Sequence, residues 1–197
     1  MNLPNKLTIF RIFLVPLMVI IPFFNIQGEW LNIPIEYWIV NIIFIVASLT
    51  DRLDGQIARK NNQVTTFGKF TDPLADKILV IAALVMLVEY TRLPAWIPII
   101  VLAREFIVSG YRLVAVEKGG KVIAASIWGK LKTVTQMIAI ILAFLDAHAF
   151  MEFLRGDLSG ISLVMNILWS AMMLISVIAT IFSGWDYVKD GKDLLKD

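Results

Sequence analysis

Six apolar segments follow one another along this chain, at roughly 7–24, 37–50, 78–90, 93–116, 127–150 and 161–185. A segment that crosses a bilayer needs about 20 mostly apolar residues in a helix, which satisfies its own backbone where no water is available. The second and third segments fall short as pure apolar runs. They reach spanning length only if the charged stretch 51–77 continues both helices beyond the bilayer. The polar breaks "NIQGEW", "KNNQVTTFGKF", "TRLP", "EKGGK" and "EFLRGD" are each too short to hold a domain. The pattern predicts an all-α integral membrane protein, a six-transmembrane-helix bundle forming a single membrane domain over residues 1–197. Composition agrees: mean hydropathy is +0.77, and 17% of residues are charged, where a soluble domain carries about 25%.

With six spans, both termini lie on one side, together with the loops after spans two and four. All but two of the 18 Lys and Arg, the exceptions being Arg92 and Arg155, fall on or toward that side. The positive-inside rule therefore predicts that both termini are cytoplasmic. No cleavable signal peptide is expected, because Arg11 and Pro16 interrupt the first apolar run. There is no cysteine, so thiolate metal sites and disulfides are excluded and a metal would take oxygen ligands or the single histidine. The single histidine, His148, reads as a packing or interfacial residue. Trp30, Tyr37, Tyr90, Trp96, Trp185 and Tyr187 lie near span ends and read as interfacial anchors.

The second span runs directly into "SLTDRLDGQIARK". Charges this close to hydrocarbon are costly without partners and mark function. Asp51 and Asp54 are three apart and share a helical face; Asp72 and Asp76 are four apart and share a face on the next helix. If the two helices return antiparallel, four carboxylates converge at one cytoplasmic depth. Their mutual repulsion calls for hard divalent cations. Two Mg²⁺ or Mn²⁺ ions would bring balancing charge and suit transfer at phosphorus. Gly55 and Gly68 lack a Cβ and admit close approach of a ligand, Ala58 keeps the same wall low, and Arg59 is placed to pair with a phosphate.

"DRLDGQIAR", eight residues, then "GKFTDPLAD" matches DxxDGxxAR-x8-GxxxDxxxD at every fixed position. In this the chain resembles the CDP-alcohol phosphotransferase family, six-span membrane enzymes that move a substituted phosphoryl group from a CDP-linked donor to an alcohol and release CMP. The resemblance implies that Asp51, Asp54, Asp72 and Asp76 hold the metals. Asp76 is then the usual candidate for the base, with Asp72 a second catalytic candidate, and Gly55, Ala58, Arg59 and Gly68 line the CDP pocket.

The acceptor has to be read elsewhere. Within the fourth apolar segment, "LAREFIVSGYRL" places Arg104 and Glu105 inside hydrocarbon length. Glu105 and Arg112 are nearly eclipsed on an ideal helix, while Arg104 and Arg112 differ by about 80°. The fifth segment opens with "GKLKT", which brings Lys130 and Lys132 to the same side. Such a cationic group suits an acceptor that carries its own phosphate. The competing reading makes Arg104–Glu105 a buried structural pair and sets the lysines among lipid headgroups.

"LPNKLTIFRIFLVP", "AREF", "SGYR" and "GKLKT" are similar to bacterial members of the family that take CDP-diacylglycerol as donor and sn-glycerol 3-phosphate as acceptor. Tyr111 departs from that likeness, where a smaller aliphatic residue is expected. The likeness implies a donor-site floor of Asn5, Thr8 and Arg11, an acceptor phosphate held by Arg104, Arg112 and Lys130, and a homodimer in membrane lipid. It also implies a bacterial inner (plasma) membrane location, an active site facing the cytoplasm and no nucleic-acid partner. Helix capping is the alternative role for Asn5 and Thr8. Rival functions are a relative accepting serine, inositol phosphate or a second phosphatidylglycerol, and, more remotely, a divalent-cation transporter.

Overall fold

A computed structural model describes residues 3–60, 66–117 and 126–190, with side chains for all of these except 3–4, 51–60, 66–70, 72, 116 and 190. Six α-helices account for most of the described residues: α1 (Leu3–Ile20), α2 (Ile35–Lys60), α3 (Thr66–Glu89), α4 (Trp96–Glu117), α5 (Ile127–Phe144) and α6 (Gly160–Asp190). Among the described residues, three stretches are long and apolar enough to cross a membrane, Asn5–Phe24, Ile127–Phe144 and Gly160–Lys189. Large apolar side chains face outward, among them Phe13, Leu113, Ile127 and Ile161. An exterior of this kind is foreign to water and suited to lipid. The chain divides into two compact units, Met1–Tyr90 with Ala143–Ala147 and Thr91–Leu142 with His148–Asp197.

In the first unit α1 packs on α2 and α3, which also pack on each other. Val40, Phe44 and Ala47 recur at helical spacing on the buried face of α2, as do Ala75, Leu79 and Ala83 on α3. The alanines keep those faces low, which lets apolar helices approach closely. Helix α2 continues without a break through the charged stretch to Lys60. Its 26 residues make a rod of about 39 Å, longer than the roughly 30 Å hydrocarbon layer. The expectation that charge-bearing sequence extends this helix therefore holds, and α3 resumes at Thr66.

One small element departs from the helical expectation. After a 3₁₀ turn at Ile21–Phe24, β1 (Glu29–Trp30) and β2 (Ile33–Pro34) form a two-stranded antiparallel ribbon. Leu31 and Asn32 turn it with φ of 56° and 61°, the left-handed pair that a tight hairpin needs, here without the usual glycine. Gly28 has φ 116°, and a Cβ there would lie 2.8 Å from Ile35 Cδ1. The Trp38 indole donates to the Trp30 carbonyl at 3.2 Å, tying the ribbon to the first turn of α2.

In the second unit α4 packs on α6, and Trp128 of α5 stacks on Phe182 of α6 with centroids 4.9 Å apart. Helix α5 ends at Phe144, short of the expected 150. The apolar letters that follow leave the helix because α6 supplies other partners for their backbone. The Phe153 N–H donates to Asn166 Oδ1, the Asn166 amide donates to the Ala149 carbonyl, and the Met151 N–H donates to Ser170 Oγ, each at 3.0 Å. Periodicity cannot reveal such a tertiary exchange of backbone hydrogen bonds.

Candidate functional site

Two groups of polar residues are built into this apolar framework. The first belongs to the facing helices α2 and α3. Asp51, Asp54, Gly55, Ala58 and Arg59 occupy the last turns of α2, and Gly68, Asp72 and Asp76 the first turns of α3. Both aspartate spacings are thus realised on helical backbone. The side chains at 51, 54, 58, 59 and 72, with positions 55 and 68, lie outside the described side chains. Asp76 is half-buried beside the buried Ala75 and is engaged in polar contact.

On α1, Thr8 and Arg11 are almost wholly buried and, with Asn5, recur every third residue and are engaged in contacts. Asn5 and Thr8 lie in the first two turns of α1. A fully buried arginine in an apolar helix needs a strong reason to be there. Among the described residues no group of three or more metal-ligating side chains converges. The fit to a metal therefore rests on donor chemistry: four carboxylates, no thiol, and the positions that two facing helix ends assign them.

The second group lies within α4, α5 and α6. Glu105 is buried, and its Oε1 accepts from Arg104 Nη1 at 2.9 Å and from Lys132 Nζ at 2.6 Å. Arg104 Nη2 donates to Ser183 Oγ of α6. Two glycines leave room for this side chain. A Cβ on Gly184 would stand 3.4 Å from Arg104 Cγ, and one on Gly129 would stand 3.5 Å from Arg104 Nη2. Arg112, seven residues beyond Glu105 and exposed, donates from Nη2 to the Tyr187 hydroxyl at 2.8 Å. The Tyr187 ring lies 5.8 Å from the Arg104 guanidinium carbon and 5.6 Å from that of Arg112. Arg104 and Lys132 thus share one carboxylate, and Arg112 joins Arg104 at the Tyr187 ring.

Of the expected acceptor residues, the structure brings Arg104 and Arg112 together. The 80° offset on α4 is absorbed because both side chains lean onto one ring of α6. Glu105 turns to Lys132 and Arg104. Arg104–Glu105 is a partly buried ion pair at the edge of a cationic group. Lys130 is exposed at the start of α5, one residue from the glycine that borders Arg104.

Tyr187 is corrected: at 1% exposure it is a buried partner of arginine, not an interfacial anchor. Tyr90 likewise bonds Glu36 and packs on Tyr37. Sequence reasoning missed Ser183 and Tyr187 as site residues and gave Lys132 no settled place. The available signal was "SGWDY", two hydroxyls four apart with a glycine and an aspartate between them in a mostly apolar helix.

The comparisons with known proteins bear on the whole chain. The sequence model of the CDP-alcohol phosphatidyltransferase family matches residues 1–182. A protein of Bacillus subtilis named CDP-diacylglycerol–glycerol-3-phosphate 3-phosphatidyltransferase is 43% identical over 99% of this chain and 97% of its own. A protein of the same name from Haemophilus influenzae is 40% identical over 89% of this chain and 92% of its own. A probable phosphatidylglycerophosphate synthase of Mycobacterium tuberculosis is 36% identical over 95% and 80%. With a motif complete at every fixed position and the likeness running nearly end to end, the chain belongs to the CDP-alcohol phosphatidyltransferase family.

Proposed function

We propose that this protein transfers the phosphatidyl group of CDP-diacylglycerol to sn-glycerol 3-phosphate and releases CMP, as a step in phosphatidylglycerol synthesis. The observation that carries the acceptor choice is the cationic group on α4–α6, which holds more positive charge than a neutral alcohol would need. The names of the relatives from Bacillus and Haemophilus support the same pair of substrates.

In this reading the acyl chains of the donor remain in lipid, and its CDP moiety lies against Gly55, Ala58, Arg59 and Gly68, with Asn5, Thr8 and Arg11 beneath. Arg104, Arg112 and Lys130 hold the acceptor phosphate. Asp76 takes the proton of the terminal hydroxyl, and that oxygen forms a bond to the lipid-bearing phosphorus. The bond from that phosphorus to the CMP oxygen breaks, and the electron pair leaves with CMP. Asp51, Asp54, Asp72 and Asp76 would hold two divalent cations, Mg²⁺ or Mn²⁺, which when bound supply neutralising charge for the diphosphate and the departing phosphate. The protein's own part is positioning and electrostatics.

The same proposal sets six spans in the bacterial plasma membrane, with both termini and the active site toward the cytoplasm, in a homodimer. The absence of native cysteine makes the topology directly testable. Single cysteines placed at residue 2 and at Arg155 should label from opposite sides of the membrane, and labelling from one side would overturn the arrangement. For the activity, purified protein is assayed with CDP-diacylglycerol, labelled glycerol 3-phosphate and Mg²⁺ or Mn²⁺. Release of CMP with a labelled lipid product is expected; no CMP under either metal would refute the function. Serine or inositol phosphate serving better than glycerol 3-phosphate would reassign the acceptor.

A further inference from the structure

We propose that Tyr187 is a positioning residue for the acceptor, one that sets the two guanidiniums gripping the phosphate of glycerol 3-phosphate. The inference rests on the reading of Arg104 and Arg112 as ligands of that phosphate.

The two arginines are not held equally. Arg104 is fixed by Glu105 and Ser183, with Gly184 beside its Cγ and Gly129 beside its Nη2. Arg112 is exposed, and among the described residues its polar partner is Tyr187. A guanidinium has five N–H donors, so a single bond to Tyr187 leaves the others for an anion while stopping the side chain from sweeping through solvent.

Two like charges near one point repel, and more strongly where water is scarce. The face of the Tyr187 ring, within 6 Å of both guanidinium carbons, offsets part of that repulsion. Its hydroxyl oxygen adds an acceptor that burial protects from competition by water. Tyr187 thus gathers two cations while spending none of the charge an incoming phosphate would meet. A carboxylate in its place would gather them by neutralising them.

The test compares Y187F, Y187L, R112A and the double variant R112A/Y187F with the parent in steady-state assays that vary each substrate. Y187F keeps the ring and the packing and removes only the hydroxyl. Its KM for glycerol 3-phosphate is expected to rise about tenfold, as for loss of a hydrogen bond to a charged group. Its kcat and its KM for CDP-diacylglycerol should stay within about twofold of the parent. Y187L, which also loses the ring, should raise the same KM further. Because Tyr187 acts through Arg112, the double variant should be no worse than R112A alone.

If R112A raises the KM for glycerol 3-phosphate and Y187F does not, the positioning role is overturned while the acceptor site stands. A Y187F that lowers kcat or thermal stability with that KM unchanged has a packing role only, and the proposal fails. Additive effects in the double variant would overturn action through Arg112. If neither R104A nor R112A changes that KM, the acceptor site itself is lost, and the proposal with it.

Discussion

The carboxylates of α2 and α3 and the cations of α4–α6 meet the membrane in opposite ways. The aspartates sit where two helices run beyond their apolar length, on the last turns of α2 and the first turns of α3. Arg104 and Glu105 lie among apolar turns of α4, and Lys132 is buried on α5. They therefore carry compensation with them, as Glu105 between two cations and Tyr187 between two guanidiniums. Charge inside an apolar helix must fold together with its partner.

The sharpest way to break this contrast is to change one charge in each region. Asp76→Asn should lower kcat by about 10²–10⁴-fold, the usual range for a lost general base, while thermal unfolding in detergent stays near the parent. A loss of fold instead would place Asp76 with the structural charges. Glu105→Ala should do the reverse. Leaving the buried Lys132 and the partly buried Arg104 without their shared carboxylate is expected to cost about 3 kcal/mol of stability, seen as a lower unfolding temperature. An unchanged unfolding temperature would mean that the cations find other partners. Arg112→Ala should raise the KM for glycerol 3-phosphate by roughly tenfold or more and leave the KM for CDP-diacylglycerol alone. Lys130→Ala should have the smallest effect. An exposed ammonium contributes up to about 1 kcal/mol, so a rise in KM of at most about fivefold is expected, fading in high salt. An effect as large as that of Arg112 would show that Lys130 is drawn inward when substrate binds.

The two regions were also unequally legible. The aspartate motif is written along 26 consecutive residues, so helical spacing alone told which carboxylates share a face, and the backbone of α2 and α3 carries them as expected. The cationic group is written across three helices. Arg104 and Arg112 were visible as charges in an apolar run, but Tyr187 lies 75 residues from Arg112. A tyrosine near the end of a span more often marks an interface than a partner for arginine. The sequence reading favoured Lys130 over Lys132 as a ligand, and the structure separates the two by burying Lys132 against Glu105. The ribbon at Glu29–Pro34 escaped for a similar reason, since its turn puts Leu31 and Asn32 in a conformation that leucine rarely adopts. The early end of α5 was hidden because its cause, Asn166, is on α6.

The two partners of Arg104 give it a second identity. One terminal nitrogen reaches Glu105 on its own helix and the other Ser183 on α6, so the protein specifies the outline of the residue as well as its charge. Lysine would keep the charge and lose the fork, because one ammonium cannot occupy the positions from which the two terminal nitrogens of Arg104 reach Glu105 and Ser183. At this position the conservative substitution in charge is a radical one in shape.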